Sequence, residues 1–238
     1  MQGIGRDGWR RAGFELAIVF LGVLVALLVD GRNERRMERD LEQQYLARLS
    51  QDVARDTAEF GAMILTLEAK SASLRWLQAI TPGDLGSKAS TGELARQLVR
   101  AHSAGFGVLS WKSTTFEDLR STGNLSLVRD PRLRAQIVSY YEALRFNAQR
   151  VEARRSEFPP LAYAVLPPDA YDADVYFDAP SESSVELDLD IVADQVLGAG
   201  GRRALAGELN YARFFSGVVL DLVEQATELL LALAESPS

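Results

Sequence analysis

The chain has 238 residues, 47% apolar and 25% charged, with a net charge of −7 and no cysteine. Without thiols there is neither a disulfide framework nor thiolate chemistry. Beyond residue 40 there are 19 basic against 27 acidic side chains, a balance that argues against nucleic acid and against broad adhesion to anionic lipid.

Residues 1–12 form a short basic tail with Arg6, Arg10 and Arg11. Gly13 to Val29 (GFELAIVFLGVLVALLV) follows, and Leu16 to Val29 is 14 residues without a charge. At about 1.5 Å per residue the stretch reaches roughly 25 Å, slightly short of a ~30 Å hydrocarbon core. Flanking arginines that snorkel, and local thinning of the bilayer, absorb the deficit. Residues 13–30 are therefore expected to be a transmembrane anchor. A buried core helix is the bland alternative, but such helices rarely lack a polar stripe over four turns. A cleavable signal peptide fits less well than an uncleaved signal anchor. No small-x-small site follows; the chain continues Asp30-Gly31-Arg32-Asn33-Glu34. Three arginines precede the span, and Arg32, Arg35, Arg36 and Arg39 follow it. That count leaves the sidedness open and slightly favours a cytoplasmic domain.

At 100° per residue, Glu15, Gly22, Ala26 and Asn33 fall within about 20° of one another. Gly22 and Ala26 make a small-xxx-small pair. One reading is a packing face for a second helix with Glu15 hydrogen-bonded across it; the other has Glu15 snorkelling to headgroups. No later segment is apolar enough to span a bilayer.

From residue 31 to 80 apolar residues recur at steps of three or four (Met37, Leu41, Tyr45, Leu49, Val53, Phe60, Ile64, Leu67, Leu74), without a proline. This predicts one long helix, weakened only at Gly31 and Gly61. Arg39-Asp40, Arg48, Asp52 and Arg55-Asp56 are expected on its solvated face. Residues 81–158 read as a helical domain. Thr81-Pro82-Gly83-Asp84 is a break, and a helix begins at Thr91 and ends near His102, the one histidine, expected to sit on the helix dipole. Thr114 and Glu117 have capping-box spacing, Gly123 suits a C′ position, and Asp130-Pro131 reads as an N-cap followed by proline at N1. The helix after it should end before Pro159-Pro160.

Residues 159–190 read as an irregular Pro/Asp-rich excursion. Its Asp169, Asp172, Asp174 and Asp178 lack the D-x-D-x-D-G order and closing glutamate of a calcium loop, so no metal is expected there. Residues 191–235 complete the bundle, with Gly198-Ala-Gly-Gly201 as a hinge before a helix repeating Leu205, Leu209, Ala212, Phe215, Val219, Leu222, Ala226, Leu229 and Leu233. The fold expected is all-α: an N-terminal transmembrane helix continuing into a long amphipathic helix, packed with further helices as an antiparallel bundle.

Two stretches resemble a bacterial family of single-pass membrane proteins built on a domain of unknown function. One is Glu15-Leu-Ala-Ile-Val-Phe-Leu-Gly22-Val-Leu-Val-Ala26-Leu leading to Asn33-Glu34-Arg35. The other is Leu119-Arg-Ser-Thr-Gly-Asn-Leu-Ser-Leu-Val128, followed by Leu133 and Tyr140-Tyr141. The resemblance covers residues 13–150. It implies a bacterial inner-membrane protein with its N-terminus inside and its domain periplasmic, and it transfers no catalytic residue.

Three functions follow in order of preference. The first is an interaction or scaffold protein, held in the bilayer by residues 13–29 and partnered by a second copy or another membrane protein, with no cofactor. The second is a sensory or solute-binding domain whose pocket would gather Arg120, Arg134 and Tyr140 between helices. An enzyme comes last: no paired carboxylates, nucleophile with base, phosphate loop or metal-ligand spacing emerges.

Overall fold

The structure is a computed structural model that describes the backbone of residues 6–102, 114–154, 156–171 and 186–236. The side chains of residues 6–19, 25–29, 169 and 171 fall outside that description. Among the described residues the fold is all-α, with one isolated bridge between Leu85 and Ala89 as the only extended pairing.

Helix α1 runs unbroken from Arg6 to Ala79, 74 residues or about 110 Å. Neither Gly31 nor Gly61 interrupts it, and a Cβ at either would meet nothing within 4 Å. The helix stops before Thr81-Pro82, where proline blocks the αR region for its predecessor. The Asp84 carboxylate then accepts the Thr81 amide at 3.0 Å and the Thr81 hydroxyl at 2.6 Å, fixing the turn. After it come α2 (Thr91–His102), α3 (Thr114–Ser121), α4 (Pro131–Glu152), α5 (Phe158–Val165), α6 (Leu189–Gln195) and α7 (Ala199–Glu235). Gly123 adopts φ +77°, the left-handed conformation that ends α3. The Asp130 carboxylate caps α4 by accepting the Arg132 amide at 2.8 Å, with Pro131 at the first helical position.

Three long helices carry the fold. Helix α7 is antiparallel to α1: Lys70 meets Glu208, Arg202 reaches the last carbonyls of α1, and Tyr45 shares a cluster with Leu233. Helix α4 runs parallel to α1, since Arg129 ahead of it touches Glu42 and Tyr140 reaches Asp56. Their shared core holds Leu49, Val53, Phe60, Leu67, Ile137, Phe215, Val219 and Leu222. A second cluster closes the far end, where α2, α5 and α6 cover the end of α1 and the start of α7 through Leu74, Leu77, Leu94, Leu98, Phe158 and Leu205. Each such side chain contributes about 1.5–3 kcal/mol by leaving water.

Several expectations need correcting. The excursion over 159–190 is not wholly irregular: Pro159 and Pro160 lie in the first turn of α5, where a missing amide costs nothing. Its residues 172–185, with Asp172, Asp174 and Asp178, lie outside the description, as does the Asp169 side chain. The glycines at 198–201 are not a hinge. Gly198 caps α7 and the others lie within its first turn. A Cβ on Gly201 would sit 2.1 Å from the Val196 carbonyl oxygen and 2.3 Å from that of Gln195. Close approach of two helix ends therefore demands glycine there. Thr114 is the first helical residue of α3 and not the residue ahead of it, and the Glu117 carboxylate pairs with Arg120 at 3.0 Å. The expected anchor, 13–29, is helical in backbone but rests mostly on side chains outside the description. Among the described residues no helix is long and apolar enough to cross a membrane.

Candidate functional site

Within the bundle, α1 presents a seven-residue seam. Leu46, Val53, Phe60, Leu67 and Leu74 occupy one position of it, and Leu49, Asp56, Met63, Lys70 and Leu77 the other. Two of these ten are charged and both are buried, Asp56 at 6% and Lys70 at 2% exposure. Asp56 is therefore not on the solvated face expected of it. A charged seam residue is the signal that sequence reasoning missed here.

Each inclusion is satisfied differently. The Lys70 ammonium lies 2.5 Å from a Glu208 carboxylate oxygen on α7, itself 1% exposed. The second Glu208 oxygen accepts the Ser156 hydroxyl from the segment between α4 and α5. Burial pulls the Lys70 pKa down, and the adjacent Glu208 charge opposes that pull. His102 closes α2 close enough to feel both charges. Burial first, and then Lys70, lower its pKa, while the Glu208 charge pulls the other way. Beside the cluster, the Arg154 guanidinium stacks 3.7 Å from the Tyr211 ring centroid and donates to the Gly207 carbonyl at 3.1 Å. With Glu208 engaged by lysine and serine, the group locks α1, α7 and the α4–α5 segment together.

Among the described residues Asp56 forms no ion pair. Tyr140 on α4 donates to its carboxylate at 2.9 Å. Burial pushes the Asp56 pKa up to about 6 and the tyrosine bond partly restrains it; burial also raises that of the Tyr140 hydroxyl. A cleft of about 70 Å³ opens beside Tyr140, lined by Gln136, Ser139, Gln225, Glu228 and Leu229.

The three residues expected to converge on a ligand do not share that cleft. Tyr140 is buried against Asp56, Arg120 is exposed on α3 in its pair with Glu117, and Arg134 is half-buried one turn into α4. Of the expected membrane packing face, Glu15 and Ala26 fall outside the described side chains. Gly22 and Asn33 are exposed, and a Cβ on Gly22 would meet nothing within 4 Å. No group of three or more His, Asp or Glu side chains among the described residues is placed to hold a metal ion.

Two surfaces remain. A groove of about 390 Å³ lies between α4 and α7, where Arg150 sits over the rings of Phe146 and Phe214 at 5.4 and 4.8 Å. The larger is the projecting part of α1. Among the described side chains Tyr45 is the first buried core residue along the helix, and the helical backbone from Arg6 to Gln44, 39 residues, extends roughly 60 Å ahead of it. Phe20, Leu21, Val23, Leu24 and Met37 are exposed there. Comparison with protein-family models, curated proteins and solved structures finds no match.

Proposed function

We propose that the chain is a membrane-anchored interaction or scaffold protein of the bacterial inner membrane, held by residues 13–29, with its bundle as a periplasmic docking body and no catalytic role. The observation that carries this reading is the projection of α1. Helix stability in proteins comes mostly from covering an apolar face, so the apolar side chains on this projection call for lipid or another chain. The uncharged run from Leu16 to Val29 suits lipid, and the acid-and-arginine segment that follows suits an aqueous stalk. The sequence resemblance to single-pass membrane proteins points the same way. Carbonate extraction and flotation of the full chain test the anchor, which is expected to remain with membranes. Reporter fusions after Ser238 test the side. Release by carbonate, or a detergent-free monodisperse globule, would overturn the anchor.

The alternative, a receptor for a small solute between helices, rests on the cleft at Tyr140. Its 70 Å³ suits water; metabolite pockets are about 300–1,000 Å³.

A further inference from the structure

An apolar ridge crosses the boundary between bundle and stalk. Met37, Leu41, Tyr45, Leu49 and Val53 follow one another at steps of four, and their exposure falls from 64% through 37% and 8% to 0% at the last two. The ridge is continuous; its cover is not. Helix α4 begins at Pro131 and α7 ends at Glu235, both near the level of Tyr45, so the two helices that bury the ridge stop there.

The charges beside the exposed part are sorted. At 100° per residue, Asp30, Glu34, Glu38 and Asp40 flank Met37 and Leu41 within an arc of about 160°. Arg32, Arg35, Arg36 and Arg39 occupy about 100° on the opposite side. All eight charged residues are exposed. The acidic side is an open helix face on which Asp30, Glu34, Met37, Glu38, Asp40 and Leu41 lie together.

We infer that this acid-flanked ridge docks a helix of another protein, one with an apolar stripe bordered by lysine or arginine, laid along α1 as a continuation of the bundle. The inference rests on the reading of the chain as an interaction protein and names the chemistry of its partner. Charge complementarity selects that partner. A second copy in the same membrane would run parallel, and a two-fold pair on this ridge would bring Glu38 of each copy towards Asp40 of the other, acid against acid. One acid of this part of α1 is already engaged within the chain. Glu42, the next acid along the helix, accepts the Arg129 amide at 2.8 Å and pairs with its guanidinium at 3.5 Å.

The test uses the full chain in uncharged detergent and two fluorescent 20-residue helical peptides with the same leucine stripe, one flanked by lysine and the other by glutamate. The lysine-flanked peptide is expected to bind at least about tenfold more tightly. Glu34→Lys with Glu38→Lys should reverse the order, and Arg35→Glu with Arg39→Glu should leave it unchanged. A preference that survives E34K/E38K, or no binding of the lysine-flanked peptide, would overturn the inference. Because the chain has no cysteine, Met37→Cys introduces a unique thiol. Oxidation in membranes is expected to leave it monomeric, and a disulfide-linked dimer would put a second copy on the ridge and sink the idea. Loss of the chain from carbonate-washed membranes would instead count against the anchor, leaving the peptide titration to be read separately.

Discussion

Asp56 and Lys70 lie 14 residues apart on the same seam of the same helix, yet the bundle accommodates them in opposite ways. Lys70 keeps its charge company with a buried carboxylate from α7, and Ser156 fills the remaining valence of that carboxylate. Asp56 is bonded to a neutral phenol from α4, and burial raises its proton affinity against that bond. A buried ion pair resists pH and fails when one member is lost, whereas a buried lone acid tolerates substitution and answers to pH.

The sharpest way to break this contrast is Lys70→Met. It leaves Glu208 buried without its cation and should destabilise the protein by about 3–5 kcal/mol in urea denaturation. Adding Glu208→Leu to K70M should recover most of the loss, because removing both charges removes the desolvation cost as well. If the double variant is no better than the single one, the pair supports the fold through its packing and not its charges.

The next largest effect is on the acid side. Asp56 has a folded pKa near 6 against 3.8 unfolded, so the folded protein binds its proton more tightly. Its stabilising contribution is complete below about pH 4 and fades as pH rises through 6, to a total of about 3 kcal/mol. Stability curves between pH 4 and 7 should show this decline in the parent and lose it in Asp56→Asn. Tyr140→Phe removes the hydrogen bond that favours the carboxylate. It should cost about 1.5–3 kcal/mol at pH 7 and move the decline to higher pH.

The smallest expected effect lies beyond the bundle, where Met37→Ser should change unfolding by less than about 0.5 kcal/mol. A larger change would mean that the ridge is already covered within the chain.

Much of this architecture is readable from residue order. Helices α1, α4 and α7 follow from apolar steps of three and four, and the start of α4 from Asp130-Pro131, because those signals are local and physical. What could not be read is pairing across long sequence distances. Lys70 and Glu208 are 138 positions apart, and nothing in either neighbourhood announces the other. Asp56 was legible in part: a strict seven-residue count from Leu49 lands on it, but apolar periodicity alone assigns charges to water. Arg120, Arg134 and Tyr140 look like neighbours in the sequence, yet α3 and successive turns of α4 point them in different directions. Glycine was misleading at Gly201, where a run that resembles a flexible joint is a tight crossing of helix ends.

The Arg202 side chain gives α1 an unusual termination. Its guanidinium donates to the carbonyls of Gln78 at 3.0 Å and Ile80 at 2.6 Å, while Nε holds the Leu197 carbonyl at 3.0 Å. One residue thus ties the distal end of a 110 Å rod to the beginning of its main partner. Two other buried contacts fasten the same helix at separate levels, Asp56 with the Tyr140 hydroxyl and Lys70 with the Glu208 carboxylate. Three fastenings of different chemistry, to α4, to α7 and to the start of α7, thus fix the rotation of α1 against its partners.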